Sequence, residues 1–141
     1  MNGHPTRRAF LAALPFSFAA LAAGRRPLGA GLVVLLEHPD PRPGIDGSGV
    51  LPARAVEAFG SDVVEIYDMV REIPEIADGI ACYCGCAAMP NYRSLLTCYH
   101  QGGMAMGCRI CQGEAQLAYR RAQEGQTLDQ IRRAIDARFA R

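Results

Sequence analysis

Cysteine is the residue type on which any chemistry of this chain must rest. All six cysteines of the 141-residue chain fall between Cys82 and Cys111. Cys82, Cys84 and Cys86 stand in the run Cys-Tyr-Cys-Gly-Cys, Cys98 follows twelve residues later, and Cys108 and Cys111 form a Cys-x-x-Cys pair. Thiolates gathered in a dry interior repel one another unless a cation sits among them, so this density points to a bound metal ion. A Cys-x-x-Cys at a helix start also sets its sulfurs near unpaired N–H groups and the positive end of the helix dipole. Both effects favour the thiolate, the form that attacks or binds metal.

Thiolate-rich sites select Cu(I), zinc or iron–sulfur clusters. Met89, Met104 and Met106 lie in the same stretch, with His100. Thioether beside thiolate is a soft donor set and tilts the choice toward Cu(I), with zinc next and an iron–sulfur cluster as an alternative. Cys82, Cys84, Cys86, Cys98, Cys108 and Cys111 are the expected ligands, and His100, Met104 and Met106 the auxiliaries. Core filling is the plainer role for the methionines, and His38, in a proline-rich stretch, is expected to be solvated. Two rival uses of the thiols stay open. Three disulfides could staple the cluster to Cys98, Cys108 and Cys111, although bridging sulfurs two positions apart is awkward. Reversible thiol redox would use Cys108 and Cys111, but the alternating strand and helix pattern of a thioredoxin fold is missing.

The elements that must position these residues read as helices. Ser61 can cap a helix from Asp62 in which Val63, Ile66, Tyr67 and Val70 recur at helical spacing, with Pro74 ending the run. A short turn covers Pro74 to Asp78, and Asn91 can cap a short helix carrying Leu95, Leu96 and Cys98. A longer helix runs from Cys108 to about Glu124, with Ala115, Ala118 and Ala122 on a narrow face and Gly125 as its stop. Thr127 and Gln130 form a capping-box pattern, and Leu128, Ile131, Ile135 and Phe139 make the stripe of a final helix. Residues 61–141 are therefore expected to be an all-α, cysteine-rich domain. The acidic run from Asp62 to Asp78 reads as the solvated side of its helix.

Ahead of that domain, Arg7 and Arg8 precede an apolar run ending in small residues. Residues 1–22 read as a twin-arginine export signal, too short to span a bilayer. Residues 23–60 hold five prolines and seven glycines and read as an extended tether or irregular wrap. An exported, periplasmic or otherwise extracytoplasmic protein is expected, touching a membrane only through an uncleaved signal. The formal charge of +1 argues against nucleic-acid binding. All 15 basic residues are arginine, which excludes lysine Schiff-base chemistry and a lysine-dependent phosphate loop. No serine–histidine–aspartate arrangement, HExxH or glycine-rich phosphate loop is present, so an enzyme is not expected.

The run Ala81-Cys82-Tyr83-Cys84-Gly85-Cys86, followed by Ser94-Leu95, Cys98-Tyr99 and Cys108-Arg109-Ile110-Cys111, resembles the PCYCGC-motif family of small exported bacterial proteins. The resemblance spans about Asp62 to Phe139 and implies a cysteine-rich, metal-handling domain without supplying a reaction. Ala81 stands where the family's name has proline. Histidines of the family pattern near Tyr92 and Met104 have no counterpart here, which leaves a sulfur-dominated site rather than a Cys/His one. Many relatives look like lipoproteins, but no cysteine precedes Cys82, so lipid anchoring is not expected. The reading that results is an exported soft-metal carrier, buffer or maturation factor that hands its ion to a metal-accepting protein. An iron–sulfur electron carrier, a thiol oxidoreductase and a disulfide-stapled interaction module are the alternatives.

Overall fold

The apolar stripes of the sequence become the core of the protein. The structure, a computed structural model, describes residues 34–141. The expected signal at 1–22 and the first part of the proline-rich segment lie outside these residues. Helix α1 (Ala53–Val56) runs into a 3₁₀ turn at Glu57–Phe59, and α2 (Ser61–Glu72) and α3 (Pro74–Asp78) follow. A long loop carries two more 3₁₀ turns, Cys86–Ala88 and Leu96–Tyr99, before α4 (Arg109–Gln123) and α5 (Leu128–Phe139). Among the described residues there is no strand, and no helix is long and apolar enough to cross a membrane.

Helix α2 buries Val63, Ile66, Tyr67 and Val70, the four positions its spacing predicts. It packs on α4, whose buried Ala115 and Ala118 let the two backbones come close. Helix α5 lays Ile131 and Ile135 against α4; full burial of each contributes about 2 kcal/mol. The capping box forms: Gln130 N–H donates to Thr127 Oγ1 at 3.3 Å, and Thr127 N–H donates to Gln130 Oε1 at 2.8 Å. Gly125 follows α4, its N–H donating to the Ala122 carbonyl.

Three features depart from the sequence expectation. Ser61 opens α2 rather than capping it, and no side chain caps that helix. The helix expected after Asn91 shrinks to the 3₁₀ turn Leu96–Tyr99, because Ser94 and Thr97 satisfy one another locally. Thr97 Oγ1 donates to the Ser94 carbonyl and accepts from Ser94 N–H. The proline-rich segment, expected as an extended tether or irregular wrap without a helix, is a docked wrap over the part described and departs from expectation in ending in α1. Leu51 N–H donates to the Tyr99 carbonyl at 3.0 Å, and Val50 and Val56 are core residues. Pro52 occupies the cap position of α1, where its missing N–H costs nothing.

The wrap also corrects the reading of His38. Its Nδ1 accepts from Ala81 N–H at 3.0 Å, so Nε2 carries the proton and donates to Asp136 Oδ1 at 2.9 Å. Tyr83 O–H donates to the same oxygen and accepts from Leu36 N–H. Wrap, cysteine loop and α5 are thereby tied at one place. Of the acidic run, five residues are exposed as expected, but Asp78 is fully buried.

Candidate metal centre

Four hydrogen bonds position the loop that carries the cysteines. Leu95 N–H donates to the Ile80 carbonyl at 2.7 Å, drawing together the strands of loop on either side of the Cys-Tyr-Cys-Gly-Cys run. Ala105 N–H donates to the Cys98 carbonyl at 3.1 Å, and Gln112 Nε2 donates to the Ala105 carbonyl at 2.8 Å. Tyr99, stacked edge-on against Tyr67 with centroids 4.7 Å apart, donates its O–H to the Cys111 carbonyl at 2.8 Å. The 3₁₀ turn and the first turn of α4 are locked to each other by these contacts.

This framework brings together Cys82 and Cys84 from the loop, Cys98 from the 3₁₀ turn and Cys111 from the first turn of α4. Their four sulfurs all lie within 4.8 Å of one another, with Cys82, Cys98 and Cys111 buried and Cys84 half-buried. The Cys82 and Cys111 sulfurs are 3.5 Å apart. A tetrahedral ion with metal–sulfur bonds of about 2.3 Å holds its sulfurs about 3.8 Å apart, so the four need only small side-chain rotations to close on one ion. All six cysteines are free thiols.

The remaining sequence candidates fall into different surroundings. Gly85 adopts a left-handed conformation (φ +88°) that reverses the chain between its neighbours. The Cys84 and Cys86 sulfurs consequently stand 2.7 Å apart, an approach that spacing alone made look awkward. Cys86 also contacts the Met104 thioether, Sγ to Sδ 3.5 Å. The Cys-x-x-Cys pair splits: Cys111 joins the buried group, while Cys108 is the half-buried cap residue of α4. Met106 lines a shallow surface groove of about 580 Å³ with Met104 and Cys108. His100 turns away to lie against Gly49, and its burial lowers its affinity for a proton.

Electrostatics of the group follow from burial and crowding. The Cys82 thiol is pushed well above its ordinary value, first by its contact with Cys111. Cys98 is lowered by contact with Cys111 but raised more by Cys82 and burial together. Cys111 is lowered by Cys82 but raised more by Cys98 and burial. Burial and then Cys84 push Cys86 up to about 12. Cys84 alone is lowered, because contacts with Cys86 and Cys82 that stabilise its thiolate outweigh its burial. Burial and crowding thus favour the neutral thiol at three of the four converging cysteines in the metal-free protein. Among the described residues no arginine or histidine donates to any of the four sulfurs.

Sequence reasoning missed Glu114, one turn beyond Cys111 on the inward face of α4. It is fully buried, accepts Tyr83 N–H at 2.8 Å on Oε1, and leaves Oε2 without a partner. Burial raises its carboxyl to about 7. The signal was available: Cys111, Glu114, Ala115 and Ala118 follow one helical stripe.

Fold and site together define a small all-helical protein built around a buried group of four cysteines that is compatible with metal binding. The chain belongs to the family described as "Protein of unknown function with PCYCGC motif", whose model matches residues 44–141. No curated protein and no solved structure matches it.

Proposed function

We propose that the protein holds one soft metal ion, Cu(I) or zinc, through Cys82, Cys84, Cys98 and Cys111. In this reading it serves outside the cytoplasm as a carrier, buffer or maturation factor, with no reaction of its own and a metal-accepting protein as partner. The observation that carries the reading is the convergence of four sulfurs within 4.8 Å, three of them buried, from three separate parts of the chain. A metal ion supplies the positive charge that the surrounding side chains do not. Each ligating thiol gives up its proton, and the attraction of the ion offsets thiolate repulsion in a low dielectric. The spacing favours one ion over an iron–sulfur cluster, whose iron and sulfide core must fit inside its ligand sulfurs and so holds them further apart. Export rests on Arg7, Arg8 and the apolar run after them.

A second reading has one observation in its favour. Cys84 and Cys86 are a close dithiol in which the Cys84 thiol is lowered, which suits exchange with a disulfide substrate. The reactive pair would then be Cys84 and Cys86 rather than Cys108 and Cys111, since Cys111 is buried and raised. In that exchange the two thiols become one disulfide while the substrate disulfide becomes two thiols.

Elemental analysis and thiol counting on one sample, purified from its own compartment, separate the readings. The metal reading expects about one ion per chain and six thiols after its removal in denaturant. Cys98→Ser should abolish stoichiometric metal. Metal-free protein with four thiols would support the dithiol reading, and metal-free protein with none a stapled scaffold.

A further inference from the structure

The buried group accounts for four of the six cysteines and for none of the methionines. Four of the other sulfurs, those of Cys86, Met104, Met106 and Cys108, are not scattered. Cys86 is 1 % exposed, yet its sulfur touches Cys84 on one side, at 2.7 Å, and Met104 on the other, at 3.5 Å. Met104 is 45 % exposed. Core filling, the usual role of methionine, therefore does not explain it. Met104, Cys108 and Met106 also line a single open groove with Phe59. An unbroken line of sulfur runs from solvent at Met104, through Cys86 and Cys84, into the buried group.

We propose that Cys86, Met104 and Cys108 form a second, solvent-facing site for Cu(I), through which the ion enters and leaves the buried cysteines. The inference rests on the reading of those cysteines as a soft-metal site. Cu(I) is satisfied by two or three soft donors and accepts thioether sulfur, whereas zinc takes thiolate, imidazole or carboxylate and leaves methionine aside. Cys84 belongs to the buried group and touches Cys86, so the ion moves between the sites by ligand exchange. One bond from copper to a buried sulfur forms as one bond to Cys86 or Met104 breaks. Copper stays Cu(I), no electrons move, and each thiol that becomes a ligand releases its proton to water. The groove flanking Met104 and Cys108 is where a donor or acceptor of copper gains access to the same sulfurs.

Anaerobic titration of the purified protein with Cu(I), supplied as its acetonitrile complex, tests this. Wild type should take about two equivalents of Cu(I) and about one of zinc. Met104→Leu keeps volume and apolarity at an exposed position, so folding is retained. Two donors, Cys86 and Cys108, would remain, so it should weaken the second copper about tenfold in chelator competition, leave zinc at about one equivalent, and slow withdrawal of the first copper about tenfold. Cys108→Ser should weaken the second copper in the same way. Equal affinity for the second copper and equal withdrawal rates for wild type and Met104→Leu would overturn the second site while zinc binding still upholds the first. Failure of wild type to bind zinc or copper at all would overturn the reading of the buried cysteines, and this inference with it.

Discussion

Two buried polar groups sit four residues apart in the chain and are handled in opposite ways. Asp78, at the end of α3, is enclosed by its own counter-charges. Arg42 donates to it from N–H, Nε and Nη2 at 2.8 to 3.1 Å. Arg93 pairs with it at 2.9 Å, and Ser94 O–H donates at 3.0 Å. Burial would push that carboxyl up, but the bonds from Arg42 and Ser94 hold it down at about 2. The cysteine group, beginning at Cys82, has no such partners among the described residues, and three of its four thiols stay protonated instead. A buried charge that is compensated from within serves the fold, whereas buried thiols without such partners stay neutral unless a cation joins them. The contrast separates a structural knot from a candidate metal site within one small domain.

The largest expected difference between the two groups is in their response to pH. Cys82, Cys98 and Cys111 are raised in the metal-free protein. Their protons must leave when metal binds, so acid favours the empty site. Zinc affinity, measured by chelator competition between about pH 6 and 8, should fall about a thousandfold per unit of acidification, tenfold for each of the three protons released. Asp78 behaves otherwise. Its folded value lies below the ordinary 3.8, so its contribution is intact above that value and is lost only as the pH falls toward about 2. A zinc affinity that does not change with pH would mean the thiols are already ionised, and the contrast would fail.

Asp78→Asn comes next in size. It removes the charge that Arg42, Arg93 and Ser94 converge on and should destabilise the protein by about 2 kcal/mol, lowering the melting temperature by about 10 °C. Metal stoichiometry should not change, because the knot supports the loop without touching a sulfur. Loss of metal in a still-folded Asp78→Asn protein would show that the two groups are one unit.

Gly85→Ala has the smallest expected effect and is the most local. A Cβ there meets nothing within 4 Å, so only the left-handed backbone conformation is penalised, by about 1 kcal/mol. As Cys84 and Cys86 relax apart, zinc binding should weaken about fivefold, while the acid transition of the Asp78 knot stays in place. Unchanged metal affinity would show that the turn at Gly85 is not needed to present Cys84.

Much of this molecule could be read from local pattern. The stripe of α2, the narrow alanine face of α4, the capping box of Thr127 and Gln130 and the cysteine-rich centre all depend on spacing within a turn or two. Helical geometry converts that spacing directly into faces. The loop was less legible. Ser94 and Thr97 bond to each other rather than continue a helix, and no periodic signal marks that choice.

What the sequence by itself determined is the all-helical class, the positions of the long helices, and the confinement of every thiol to one stretch between Cys82 and Cys111. Tertiary structure alone decided which sulfurs meet. It divided the Cys-x-x-Cys pair between core and rim, set Met104 against Cys86, turned His100 away to Gly49, and closed His38 and Asp78 into the interior. Helical periodicity acts between near neighbours along the chain. The meeting of a loop, a 3₁₀ turn and a helix start is settled by packing and hydrogen bonds across space, which residue spacing does not encode.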